Sequence, residues 1–225
     1  MSEAEPERAK PSPAVVEAAD LLRVAVLASG GGTNLQAILD TVHGRDRVEV
    51  VAVASDKPGA MALERAQAAG VETQVFPPES FGEREARDEA LGDWLAERDV
   101  GLVVLAGYMQ LLSPQFIARF ENRIINVHPA LLPSFPGLDA VQQALDHGVR
   151  ITGVTVHFVD EGVDTGPIIL QRPVPVPADR RWNTLEEAIH ATEHELLPEA
   201  IRLIAAGRIS FDPANPRLVL VAPGK

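Results

Sequence analysis

The sequence predicts an α/β fold built on an open, mostly parallel, twisted sheet flanked by helices. Three observations carry this. Short apolar runs rich in β-branched residues and leucine recur at residues 23–28, 48–54, 101–106 and 123–127. Apolar residues at helical spacing lie between them. Beyond about residue 151 the apolar period changes to two.

Runs that are apolar at nearly every position suit strands buried on both faces, as in parallel sheets. Leu35, Ile38, Leu39 and Val42 follow the i, i+3, i+4, i+7 rule of a helix with one buried face. Leu91, Trp94 and Leu95 mark another helix within residues 83–98. Ser113 and Pro114 form an N-cap and first-turn pair ahead of Phe116, Ile117 and Phe120. Strands alternating with helices, joined by right-handed crossovers, make this N-terminal half Rossmann-like. Further on, Val154, Val156 and Phe158 alternate with Thr155 and His157. A polar loop at 160–166 and a second strand at 168–176 follow, forming an antiparallel extension. Pro173, Pro175 and Pro177 place that second strand at an edge, because proline cannot donate to a ladder. A long C-terminal helix is expected from near Thr184, with Glu187 completing a capping box, to about residue 206. Pro198 is expected to kink it.

Composition excludes several classes. The 225 residues contain no cysteine, so neither a disulfide framework nor a cysteine metal site is possible. A formal net charge of -12 argues against nucleic acid as a partner. No apolar run approaches the roughly 18 residues of a membrane span. The acidic, proline-containing first 20 residues lack the basic start and apolar run of a signal peptide and read as a disordered extension. The expectation is a cytoplasmic protein.

Ser29-Gly30-Gly31-Gly32-Thr33-Asn34 joins the first strand to the first helix. Small residues let the backbone approach a ligand, and the helix start offers free N–H groups and a positive dipole end to a phosphate. A tight strand-to-helix turn is the plainer explanation of the same residues. A dinucleotide site needs a third glycine at position 35, where Leu35 stands. Asp56 could mimic the ribose-binding acid, but the glycine pattern fails, so a single phosphate is favoured.

Asn126 and His128 end the fourth apolar run, in Asn-Val-His-Pro. Ligands of open α/β sheets bind at the carboxyl ends of strands. Positions i and i+2 of a strand face one way, so both side chains should enter one cleft. An amide N–H can stabilise the oxyanion of acyl transfer, and an imidazole can move its protons. A structural histidine is the alternative. The loop 160–167 carries Asp160, Glu161 and Asp164; it is either a solvated turn or a carboxylate source that would raise the pKa of His128. His190, Glu193 and His194 match H-x-x-E-H, a zinc-hydrolase signature. No third ligand stands out downstream, so a polar helix stripe facing solvent or substrate is the simpler reading.

Three stretches in this order, residues 29–36, 125–137 and 153–167, resemble the phosphoribosylglycinamide formyltransferases over residues 23–209. The resemblance implies a formyltransferase domain at 21–210, between the extension at 1–20 and a tail at 211–225. It implies transfer of a formyl group from 10-formyltetrahydrofolate to the amine of phosphoribosylglycinamide in purine synthesis, without a metal. It assigns catalysis to Asn126, His128 and Asp164, with Asp164 raising the pKa of His128. Gly32, Thr33 and Asn34 would hold the substrate phosphate, and Glu193 and His190 would contact the same substrate. Arg84, Met109, Gln110, Leu111, Leu112 and the loop Asp160, Glu161, Gly162, Val163 and Asp164 would bind the folate. Small molecules would be the partners, and a homodimer is compatible. One departure is Asp139, where the family commonly carries histidine. A formyltetrahydrofolate hydrolase is the competing reading, but it usually carries an N-terminal regulatory domain. A methionyl-tRNA formyltransferase typically has an arginine-rich stretch where Ser134-Phe-Pro-Gly stands. A nucleotide-sensing module that has lost chemistry is a third rival.

Overall fold

The computed structural model of the protein describes residues 21–223; the extension expected at 1–20 lies outside the described residues. Five parallel strands form the first half of the sheet. They are β1 (Leu22–Leu27), β2 (Val48–Ser55), β3 (Glu72–Val75), β4 (Leu102–Leu105) and β5 (Ile124–His128), in spatial order β3-β2-β1-β4-β5. The helices are α1 (Thr33–Thr41), α2 (Met61–Ala68), α3 (Arg84–Ala96), α4 (Pro114–Arg119), α5 (Ala140–Asp146) and α6 (Trp182–Ala205). Strand alternation builds two cores. On β1, Val24 and Val26 pack with Leu35 and Ile38 of α1 and Leu196, Leu197 and Ile201 of α6. Ala25 and Leu27 point the other way, into a layer with Leu91 and Leu95 of α3 and Phe116 and Phe120 of α4. Side chains of successive strand residues face opposite sides, so one apolar run serves both layers.

The N-cap at Ser113 holds: its hydroxyl accepts from the Phe116 N–H at 3.3 Å, and Pro114 opens α4. The antiparallel extension also holds. β6 (Ile151–Phe158) pairs antiparallel with β5, placing His157 opposite Asn126, and β7 (Ile168–Pro175) pairs antiparallel with β6.

Three expectations change. The strand β7 is not the last of the sheet. At its first residue, Ile168 pairs with Leu218 of β9 (Asn215–Val221), which runs antiparallel to β8 (Ile209–Asp212). Pro173 and Pro175 occupy the far end of β7, away from that single bridge, so they cost no ladder bond. The long helix begins at Trp182, two residues before Thr184, but the expected capping box does not form: the Thr184 hydroxyl donates to Asp179 at 3.0 Å instead of capping. It runs through Pro198 to Ala205 as one helix. The described part of the expected tail is the β8–β9 hairpin, which straddles residue 210.

Candidate active site

Chain order reverses between β1 and β4, and such a switch point opens a crevice at the carboxyl ends of the strands. The glycine loop leaves β1 there. The Ser29 N–H donates to the Gly107 carbonyl at 3.0 Å, and the Ser29 hydroxyl accepts from the Met109 N–H at 2.8 Å, tying the loops after β1 and β4 together. Gly32 is the N-cap of α1 with φ 68° and no side-chain cap. A Cβ there would stand 2.7 Å from the Ala62 Cα, so both conformation and space demand glycine. Asn34 extends from the first turn of α1 and donates to Glu193 of α6 at 2.9 Å. Arg65 of α2 also reaches the glycine loop, donating to the Gly31 carbonyl at 2.8 Å and to Gln36 at 3.0 Å. The sequence reading missed it; its only signal was a cation on a helix with small buried residues.

A second cluster forms at the end of β5. His128 Nδ1 lies 3.3 Å from Asp164 Oδ2, and Asn126 Nδ2 lies 3.4 Å from Asp164 Oδ1. The Gly137 N–H donates to Asp164 Oδ2 at 2.7 Å. The late loop thus brings its carboxylate to the imidazole and carboxamide, as expected. Asp164 has φ 53°, a left-handed conformation that a non-glycine residue adopts at a cost and that surrounding contacts must enforce. A fourth member was not foreseen. His157 Nε2 lies 3.3 Å from Asn126 Nδ2 and 3.6 Å from Asp164 Oδ1. His157 Nδ1 sits 2.8 Å from the Phe158 carbonyl, which can only accept, so Nδ1 carries the hydrogen. In the sequence His157 looked like the polar half of a period-two strand.

Electrostatics modify one expectation. His128 Nε2 lies 2.8 Å from the Phe135 carbonyl and must donate to it, so Nδ1 is where a proton enters or leaves, facing Asp164. Asp164 does push the His128 pKa upward, but burial is the larger influence and His157 adds to it, so the net value is lowered. The expected raised pKa is therefore reversed. The buried ring rests neutral at neutral pH, and Asp164 stands ready to pair with the imidazolium when it forms. Burial of Asp164 itself favours the neutral acid. The nearby His157 side chain, the hydrogen bond from the Gly137 N–H and the charge of His128 outweigh that and hold its carboxyl below the ordinary value.

The expected folate residues divide into two groups. Arg84, Met109, Gln110 and Leu111 line a cavity of about 400 Å³ together with Phe81 and Arg87. Leu112 is buried among the α3–α4 core residues and does not line it. Residues 160–164 do not line it either; of these, Asp164 sits with His128. Arg87, also missed, is buried beside Asp88 at 2.7 Å and donates to Gln110 at 3.0 Å. Gln110 in turn donates to Asp56 at 2.9 Å, so Asp56 supports this cavity wall.

On α6, His190 and His194 stack with ring centroids 6.2 Å apart, and Glu193 turns to Asn34. Among the described residues no three His, Asp or Glu side chains converge as metal ligands. Asp139, at the position where histidine was expected, is the N-cap of α5 with φ 57° and makes no side-chain cap bond. Asp tolerates this conformation through its short polar side chain.

The family described as Formyl transferase matches residues 22–201. Phosphoribosylglycinamide formyltransferase of Bacillus subtilis (strain 168) is 40% identical over 181 residues, covering 80% of this chain and 93% of that protein. The trifunctional purine biosynthetic protein adenosine-3 of Drosophila melanogaster is 43% identical over 194 residues, and this chain spans 14% of its length. Glycinamide ribonucleotide transformylase 1 from Symbiobacterium toebii is a structural neighbour with TM-score 0.87 and 48% identity, covering 91% of this chain and 95% of that one.

Proposed function

The chain belongs to the formyl transferase family, and from that premise we propose that it moves a formyl group from 10-formyltetrahydrofolate to the amine of phosphoribosylglycinamide, a step of purine synthesis. The observation that carries this reading is the meeting of Asn126, His128 and Asp164 within 3.4 Å at the mouth of the sheet. In it, the phosphate rests on Gly32, Thr33 and Asn34. Glu193 and His190 receive the ribose side, since a carboxylate accepts from hydroxyls and repels phosphate. The folate lies between the cavity of Arg84, Met109, Gln110 and Leu111 and the loop 160–164, with Leu112 supporting from beneath.

The amine nitrogen attacks the formyl carbon, and negative charge develops on the carbonyl oxygen. An Asn126 N–H stabilises it. Both Asn126 amide hydrogens face His157 and Asp164 in the free site, at 3.3 and 3.4 Å. Contacts that long are weak, so exchanging one for an oxyanion is inexpensive. The proton released by the attacking nitrogen goes to His128 Nδ1, where Asp164 stabilises the imidazolium. That proton then passes to the folate nitrogen as its bond to the formyl carbon breaks. His128 ends neutral, and the proton count closes without a net acid. The reading carries with it a cytoplasmic location.

A spectrophotometric assay of folate release, run with and without phosphoribosylglycinamide, tests the reaction. Release that requires the acceptor is expected. An equal rate without acceptor would instead identify a formyltetrahydrofolate hydrolase.

A further inference from the structure

The residues beyond the matched span 22–201 do more than end the chain. The β8–β9 hairpin touches the catalytic loop and the end of the strand that leads into it, each contact one residue from a site group. Arg217, in β9, donates from Nη2 to the Thr165 carbonyl at 2.8 Å, directly after Asp164. Phe211, in β8, packs its ring 5.2 Å from that of Phe158, directly after His157. Between them, Leu218 pairs with Ile168 where the loop re-enters the sheet. The loop is closely fitted there, because a Cβ on Gly166 would collide with the Phe158 carbonyl. Its other end is held from within: Asp160 Oδ1 accepts from the Thr165 hydroxyl at 2.6 Å and the Gly162 N–H at 3.1 Å. Asp164 sits between these anchors in its left-handed conformation, φ 53°.

We propose that Arg217 is a positioning residue for the transfer, holding the Asp164 loop in register through the Thr165 carbonyl. A disfavoured backbone conformation persists only where its surroundings over-determine it. Among the described residues, the Arg217 guanidinium is the side chain outside the loop that grips the Thr165 carbonyl. Arg217 is exposed, so it contributes little to the buried core. Its value lies in geometry, since small misplacement of a reacting group is costly in rate.

This inference rests on the proposed reaction, so its test includes a readout that does not. In Arg217→Ala, kcat should fall by about tenfold to 100-fold, as expected for a misplaced catalytic group. The KM for 10-formyltetrahydrofolate should rise, because the same loop contacts the folate. The KM for phosphoribosylglycinamide should stay at the parental value, because its cradle lies after β1. Arg217→Lys, which keeps one charged donor, should recover most of kcat. In the ligand-free protein, amide hydrogen exchange at 160–166 should speed up in Arg217→Ala and not in Arg217→Lys. Parental kinetics in Arg217→Ala with unchanged exchange would overturn the proposal. So would a lowered melting temperature with both KM values rising together, the mark of a merely structural role. If the parent itself transfers no formyl group, the proposed function fails, and the exchange measurement alone decides whether Arg217 orders the loop.

Discussion

Glu193 accepts a hydrogen bond from Asn34 at 2.9 Å, joining the last helix to the glycine loop across 159 residues of sequence. The carboxyl is buried, and burial raises its pKa; Asn34 and His190 only partly offset that. A folded pKa above the unfolded value means that the stability linked to this group is present in acid and lost as pH rises through the folded pKa. At neutral pH the burial of this carboxyl is thus a strain on the free protein.

Glu193→Gln keeps an acceptor for Asn34 and removes the charge. Its melting temperature should exceed the parent's at neutral pH, and the difference should shrink as pH falls. Affinity for phosphoribosylglycinamide should drop by about tenfold, the scale of one charge-assisted hydrogen bond. Differential scanning calorimetry across pH with a titration of the ribonucleotide checks both. A variant less stable than the parent at neutral pH, or binding equally well, would contradict the account.

Asn126→Ala should reduce kcat by about 10²–10³-fold with little change in either KM, because the amide acts on charge that exists only in the transition state. Steady-state kinetics with both substrates varied reads this directly. His157→Ala frees one Asn126 hydrogen from its resting partner while removing the group that orients the carboxamide. It should lower kcat less than Asn126→Ala does, and the double variant should be no worse than Asn126→Ala alone.

Much of this was legible in the sequence because buried parallel strands announce themselves. The starts of β1, β2, β4 and β5 fall within one residue of the apolar runs. Asn126 and His128 could be placed in one cleft by strand alternation alone. The partnership with Asp164 could not; it came from resemblance, since residues after a chain reversal carry no periodic signal for what they meet. Helix α2 and strand β3 were silent for a different reason. The helix buries only Ala62, Leu63 and Ala66, and no β3 residue is fully buried. The hairpin at 209–221 lies largely exposed, so its pairing partners, not its hydrophobicity, make it a strand pair. The lowered His128 pKa was missed because sequence reveals the charge that comes near a residue and not how much water is removed from it.

The pairing of Asp164 with His128 is most directly tested by the pH dependence of kcat/KM in the parent and in Asp164→Asn. His128 must be neutral to take the amine proton, so activity should fall on the acid side with a midpoint below the ordinary 6.5. Asp164 pushes that midpoint up; its loss should move the acid limb to still lower pH and cut the plateau by about 10²-fold, the scale of one general acid–base contribution. An acid limb that stays in place or moves upward in Asp164→Asn, with a plateau near the parent's, would contradict the account.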